Sequence, residues 1–295
     1  MRRLIAVTPA KVNLGLEIIR KRADGFHELV SVMQAVSLFD TFVWSETGGP
    51  FDYSGPEYVE RDRDLAWRAL ATASDRERWT GRLQVVKRIP LAAGLGGGSS
   101  DAALALRLAF PDADDDELAQ RAAAYGSDVP FFIRGGTALA TGTGTELTPL
   151  ATPDLWLVIA TPPVDIPEKT QALYSGLEPE DFSDGANVRD IIARLKRGEQ
   201  LPERLPNAFT RQLLGHSVIR YAYDRLRGAG ASRVSASGAG PTLYAVTASH
   251  REAARIAAEL HEAGPSPGVV QVVRTVASRG ERASIRAMAA ALRGS

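Results

Sequence analysis

The 295-residue chain contains no cysteine, which excludes disulfides, thiolate nucleophiles and cysteine-bound metals. It has no net charge either, since 35 Lys and Arg balance 35 Asp and Glu. No global field would draw it to nucleic acid or to an anionic membrane, so small-molecule chemistry is the favoured class. Long apolar runs are missing as well: none reaches the ~20 residues that a membrane-spanning helix needs. The apolar start Leu4-Ile5-Ala6-Val7 is interrupted by Thr8, Pro9 and Lys11 before a signal-peptide core can develop. These absences describe a soluble, cytoplasmic protein. Its length suits about two domains, and no internal repeat or low-complexity tract is visible.

What is abundant in one place is glycine. The stretch Pro90-Leu91-Ala92-Ala93-Gly94-Leu95-Gly96-Gly97-Gly98-Ser99-Ser100 lies between a β-branched run over Leu83–Ile89 and a helical pattern that begins near Asp101. A loop so poor in Cβ atoms admits positive φ angles and lets a ligand approach the backbone. Its N–H groups and the positive end of the following helix favour an anion, so phosphate is the first ligand to consider. The plainer alternative is a tight connection. Neither familiar phosphate loop fits: Gly98-Ser99-Ser100 lacks the lysine of a Walker loop, and Ser99 stands where the Rossmann fingerprint requires its third glycine.

Along the chain, Ala10, Val12, Leu14, Leu16 and Ile18 alternate with Lys11, Asn13, Gly15 and Glu17, which predicts a strand with Lys11 and Asn13 on one face. Taken alone, the lysine is better explained by a solvated strand face. Asp24-Gly25 marks a turn that presents Phe26 and His27, followed by strand-like runs over 29–39 and 41–44. Residues 45–63 read as loop or short hairpin, and 65–78 as a helix. The acidic cluster from Asp112 to Glu117 suits the start of a helix over 118–125 better than a cation site. Asp128 precedes an apolar patch and could cap a short helix carrying Pro130. Pro149–Pro153 is the expected boundary between domains 1–150 and 151–295. In the second, helices over 169–174, 188–196 and 211–227 precede strands over 233–236 and 242–247, a helix over 251–262 and a strand over 269–275. That order suits an α+β sandwich with helices on one side of a largely antiparallel sheet.

Three separated pieces, Pro9-Ala10-Lys11-Val12-Asn13, the glycine-rich loop with Asp101-Ala102-Ala103, and Ser237-Gly238-Ala239-Gly240-Pro241, resemble the three motifs of the GHMP kinase superfamily. Arg22-Ala23-Asp24-Gly25-Phe26-His27 and Gly126-Ser127-Asp128-Val129-Pro130-Phe131-Phe132 narrow the likeness to the family acting on 4-diphosphocytidyl-2-C-methyl-D-erythritol. The resemblance spans the whole chain. It implies a two-domain α+β fold, with an N-terminal ATP-binding domain built on a mixed sheet and a C-terminal ferredoxin-like sandwich. It also implies ATP-dependent phosphorylation of the substrate's C2 hydroxyl, in the non-mevalonate route to isoprenoid precursors. Asp128 would be the general base and Lys11 its cationic neighbour, while residues 90–100 would cradle the ATP phosphates. Phe26, which replaces the tyrosine of most relatives, would stack on cytosine, and His27 would read the edge of that base. Tyr174 is the candidate second stacking partner, and Asn13 and Gly238 would line the substrate. Asn207 matches a recurring asparagine of unassigned role, and Ala92-Ala93 replaces frequent glycines. Mg2+ is expected without an assignable ligand, and no nucleic-acid or membrane partner is expected. Two alternatives stay open: a GHMP kinase for homoserine or a mevalonate-type alcohol, and a non-catalytic ligand sensor on the same fold.

Overall fold

The structure, a computed structural model, describes residues 2–262, 264–277 and 282–294. The chain opens with two long paired strands, β1 (Arg3–Lys21) and β2 (His27–Pro50), joined by the turn that carries Asp24 and Gly25. The strand-like runs predicted over 29–39 and 41–44 are one continuous strand, which extends into the stretch expected to be loop. After β3 (Asp52–Ser54) come α1 (Leu65–Leu70), β4 (Thr80–Val86), α2 (Gly97–Ala109), α3 (Asp115–Ala122), α4 (Val129–Arg134), β5 (Thr137–Thr141) and β6 (Glu146–Leu150). Strands β3, β4, β2, β5 and β6 lie side by side, with β1 also on β2. The β3–β4 pair is parallel and the other pairs are antiparallel, so the sheet is mixed.

The remainder is β7 (Trp156–Thr161), α5 (Lys169–Ser175), α6 (Ala186–Arg197), α7 (Thr210–Gly215), α8 (Ser217–Gly228), β8 (Arg233–Ala236), β9 (Leu243–Thr247), α9 (His250–Glu262), β10 (Val269–Arg274) and α10 (Arg282–Leu292). Its strands form an antiparallel sheet in the order β10, β7, β9, β8. Alternation along β7 divides the packing. Val158 and Ala160 join Ile219, Leu226, Ile256 and Leu260 of α8 and α9, while Leu157 and Ile159 pack with Val12, Leu14 and Val32 of the first sheet. The two sheets thus share one core, and the long hairpin is covered on both faces.

That cover decides the environment of Lys11. Both alternating sets of β1 side chains are buried from Ala10 to Ile18, with Lys11 4% and Asn13 5% exposed. The lysine therefore does not decorate a solvated face. Register shifts at Pro9/Ala10 and Asn13/Gly15 bracket the two residues, and such bulges re-aim side chains locally.

Several boundaries differ from expectation. The helix expected over 211–227 is two helices, because His216 is extended, with φ −77° and ψ 122°. The helix expected over 65–78 stops at Leu70 and is followed by a turn and a short 3-10 segment over Arg76–Arg78. Helix α2 begins at Gly97, inside the glycine-rich loop rather than beyond it. The acidic cluster opens α3, where Asp114 Oδ1 accepts the backbone N–H groups of Asp116 and Glu117. Residue 150 falls between the two sheets, yet α10 returns to the first core, where Met288, Ala289 and Leu292 pack with residues of α2.

Candidate active site

Asp128 stands at the start of α4 but makes no side-chain capping hydrogen bond. The carboxylate is thus not engaged as a helix cap. Its Oδ2 lies 3.4 Å from Lys11 Nζ, and the aspartate side chain is 35% exposed against 5% for the lysine. Lys11 Nζ also donates to Asn13 Oδ1 at 2.7 Å, Asn13 Nδ2 donates to Ser31 Oγ at 2.8 Å, and Ser31 Oγ donates to the Gly15 carbonyl at 2.7 Å. A buried ammonium is therefore aimed by a chain of hydrogen bonds running into the bulged hairpin, with an accessible carboxylate beside it. Charge-assisted bonds of this kind fix geometry as well as contributing energy.

The glycine-rich loop is held directly against this pair. The backbone N–H of Lys11 donates to the Leu95 carbonyl at 2.9 Å. A Cβ on Gly96 would lie 2.8 Å from the Phe132 ring and 3.1 Å from Lys11 Cγ. Gly96 is also in the left-handed region at φ +71°, as is Gly94 at +80°, so both positions require glycine for two reasons. Gly96 is the N-cap of α2 and supplies no side chain to the first-turn amides. The amides of Gly97, Gly98 and Ser99 have no carbonyl four residues back, and together with the helix dipole they form an anion cradle.

Not every residue of the stretch faces outward. Residues 90–94 and 96–99 line a cavity of about 280 Å3 that also reaches Arg63 and Lys87. Leu95 is core, and Ser100 is turned into β1, where its Oγ donates to the Pro9 carbonyl at 2.6 Å. Beneath the cradle, the Lys87 ammonium bridges Asp40 and Asp101, the latter at 2.6 Å. Burial pushes the Asp101 carboxyl up to about 8 against the pull of Lys87. Among the described residues no group of three or more His, Asp or Glu is arranged to hold a metal.

The Ser237–Pro241 turn closes the other side. Ser237 Oγ donates to the Gly94 carbonyl at 2.9 Å, and a Cβ on Gly238 would lie 3.1 Å from Lys11 Nζ and 3.2 Å from Asn13 Oδ1. Asn207 now has a physical role. Its Nδ2 donates to the Ala236 and Gly238 carbonyls at 2.9 and 3.0 Å, and its Oδ1 accepts the Phe209 N–H at 2.9 Å. One buried amide therefore pins the turn next to Lys11.

Within electrostatic reach of Asp128 lies an aromatic cluster. The His27 ring is 5.0 Å from that of Tyr174 and 6.2 Å from that of Phe182, and Tyr174 meets Phe209 edge-on at 5.0 Å. Burial, reinforced by the Asp128 charge, raises the Tyr174 phenol to about 12. The same charge places Tyr174 within electrostatic reach of the Lys11–Asp128 pair. Burial, with a smaller effect from Lys21, lowers His27 below the ordinary histidine value, so the ring is neutral near pH 7 with one donor and one acceptor. Phe26 is 65% exposed. Its turn is self-braced: the Asp24 carboxylate accepts the Phe26 N–H at 3.1 Å and pairs with Arg22 at 3.0 Å. Phe182 and Lys87 carried no recognisable signal in the sequence, because each joins the site through contacts between distant segments.

Known proteins resemble this chain in sequence and in fold. The family models described as GHMP kinases N terminal domain and GHMP kinases C terminal match residues 59–136 and 213–266. A protein of Dehalococcoides mccartyi named 4-diphosphocytidyl-2-C-methyl-D-erythritol kinase is 36% identical over 274 residues, covering 88% of this chain and 95% of its own. One of the same name from Geobacter metallireducens is 39% identical over 277 residues, covering 86% and 92%. The crystal structure of a 4-(cytidine 5'-diphospho)-2C-methyl-D-erythritol kinase superposes with a TM-score of 0.78 at 32% identity, over 92% of this chain and 99% of that one. The mevalonate kinase of L. major, crystallised with R-mevalonate, shares the fold at a TM-score of 0.68 and 15% identity, over 95% and 97%. The chain belongs to the GHMP kinase superfamily and, within it, to the family of 4-diphosphocytidyl-2-C-methyl-D-erythritol kinases.

Proposed function

We propose that this ATP-dependent small-molecule kinase works in the cytoplasm and transfers the γ-phosphoryl group of ATP to the C2 hydroxyl of 4-diphosphocytidyl-2-C-methyl-D-erythritol. The observation that carries the reading is the Lys11–Asp128 pair at 3.4 Å, set against Gly96 at the open amides that begin α2, with Tyr174 of the His27–Tyr174 ring pair within electrostatic reach of Asp128. Asp128 takes the proton of the acceptor hydroxyl as its oxygen attacks phosphorus. Lys11 offsets the charge spread over the transferred phosphoryl group, and the amides of residues 97–99 hold the neighbouring phosphates. No residue is assigned to Mg2+, which when bound would supply charge neutralisation for the nucleotide phosphates. Phe26 offers an exposed ring face to cytosine, Tyr174 a second ring, and neutral His27 a donor and an acceptor for the base edge. Asn13 and Gly238 border the position of the reacting hydroxyl.

The test is an ADP-release assay on the purified protein, with 4-diphosphocytidyl-2-C-methyl-D-erythritol, homoserine and mevalonate offered in parallel. Turnover of the cytidine substrate alone is expected. Turnover of homoserine or mevalonate alone would overturn the substrate assignment, and ATP binding without turnover of any alcohol would favour a sensor.

A further inference from the structure

We propose that Lys169 is a positioning residue for phosphoryl transfer: its ammonium clasps the glycine-rich loop to the Ser237–Pro241 turn, and so sets where the ATP phosphates lie relative to Lys11 and Asp128. The proposal rests on the kinase reading given above. Lys169 opens α5, far in sequence from both loops, yet its Nζ donates to the Ala92 carbonyl at 2.5 Å and to the Gly240 carbonyl. These are the two segments whose backbones already meet at Gly94, where a Cβ would lie 2.2 Å from the Ser237 carbonyl oxygen. The clasp therefore fastens the open end of a joint that Gly94 closes tightly at the other.

The backbone on both sides of the clasp is strained. Among the described residues, the non-glycine positions with positive φ are Ala92 at +50° and Glu168 at +46°. One carries the carbonyl that Lys169 binds, and the other immediately precedes Lys169. Side chains with a Cβ are disfavoured there, and such conformations persist only where the surroundings impose them. The ammonium is also held against its own electrostatics: burial, with a contribution from the charge of Lys11, lowers Lys169 to about 8, and Asp165 only partly offsets this. Lys11 is therefore within electrostatic reach of the clasp. Around it lies a cavity of about 1060 Å3 between the glycine-rich loop and residues 161–171, and the nearest other ties between the loop and the turn are the bonds from Ser237 Oγ to Gly94 and from the Thr242 N–H to Ala93.

The test compares Lys169→Met and Lys169→Arg with the unaltered protein in three measurements: ADP affinity, steady-state kinetics with both substrates varied, and amide hydrogen exchange over residues 91–98. For Lys169→Met, loss of a charge-assisted bridge should raise KM for ATP and weaken ADP binding about tenfold. Exchange over 91–98 should become faster, while KM for the acceptor alcohol stays within about twofold. Lys169→Arg should recover most of the affinity and the slow exchange. Unchanged ADP affinity and exchange in Lys169→Met would overturn the proposal. So would weaker ADP binding with unchanged exchange, which would make Lys169 a direct phosphate ligand. A lower Tm with normal kinetics would make it merely structural. ADP binding and exchange require no acceptor, so a wrong substrate assignment leaves these two measurements decisive.

Discussion

The Lys11–Asp128 pair and the Phe26–His27 turn are held by opposite means. Lys11 is 4% exposed and is positioned by Asn13, by the Leu95 carbonyl and by the close approach of Gly96 and Gly238. Phe26 is 65% exposed at a hairpin tip, and its turn is braced within itself by Arg22 and Asp24. A group that must meet a reacting atom needs a buried, over-determined frame, because small displacements cost large factors in rate. A ring that must accept the flat face of a base needs only to be presented. On the roles proposed above, chemistry and recognition are separable, and substitutions should divide accordingly.

The largest effect is expected at Asp128. Replacing it by Asn removes the proton acceptor and should lower kcat by roughly 10²-fold or more while nucleotide affinity is kept; near-normal turnover in a steady-state assay would refute the assignment. Gly94→Ala comes next, since its Cβ would collide with the Ser237 carbonyl oxygen at a position with φ +80°. A loss of ~2 kcal/mol or more in denaturant unfolding should accompany a sharp loss of activity. Asn207→Ala leaves two carbonyls of the turn without their donor. It should cost ~1–3 kcal/mol in stability and lower kcat through the Gly238–Lys11 contact, with KM for the cytidine substrate little changed. Phe26→Ala should weaken binding of the cytidine substrate by ~1–3 kcal/mol, seen as a higher KM, at unchanged kcat and Tm, because the ring packs on little of the protein. A destabilised Phe26→Ala protein would show that the turn belongs to the core.

Much of this arrangement was legible in the sequence. Period-two alternation marked β1, the glycines marked the cradle, and Asp24-Gly25 marked the turn that presents Phe26 and His27. What could not be read was whatever depends on a second layer. The alternation identified one buried face, but the second sheet covers the other as well, so a lysine that looked solvated is enclosed. Asp128 read naturally as a helix cap, and only the structure shows that its side chain makes no capping bond. Asn207 and Lys169 act across gaps of tens of residues on backbone carbonyls, which leave no side-chain pattern to detect. His216 breaks a strong helical pattern by adopting an extended backbone, a break that the local sequence hints at through the flanking Gly215 and Ser217. The return of α10 to the first core is a tertiary event, invisible to local pattern.

The separation of chemistry from recognition is tested most directly by measuring kcat and KM for 4-diphosphocytidyl-2-C-methyl-D-erythritol, at saturating ATP, in Asp128→Asn and Phe26→Ala side by side. Asp128→Asn should lose kcat at nearly constant KM, and Phe26→Ala should raise KM about tenfold or more at nearly constant kcat. Losses falling on the same constant in both variants would contradict it.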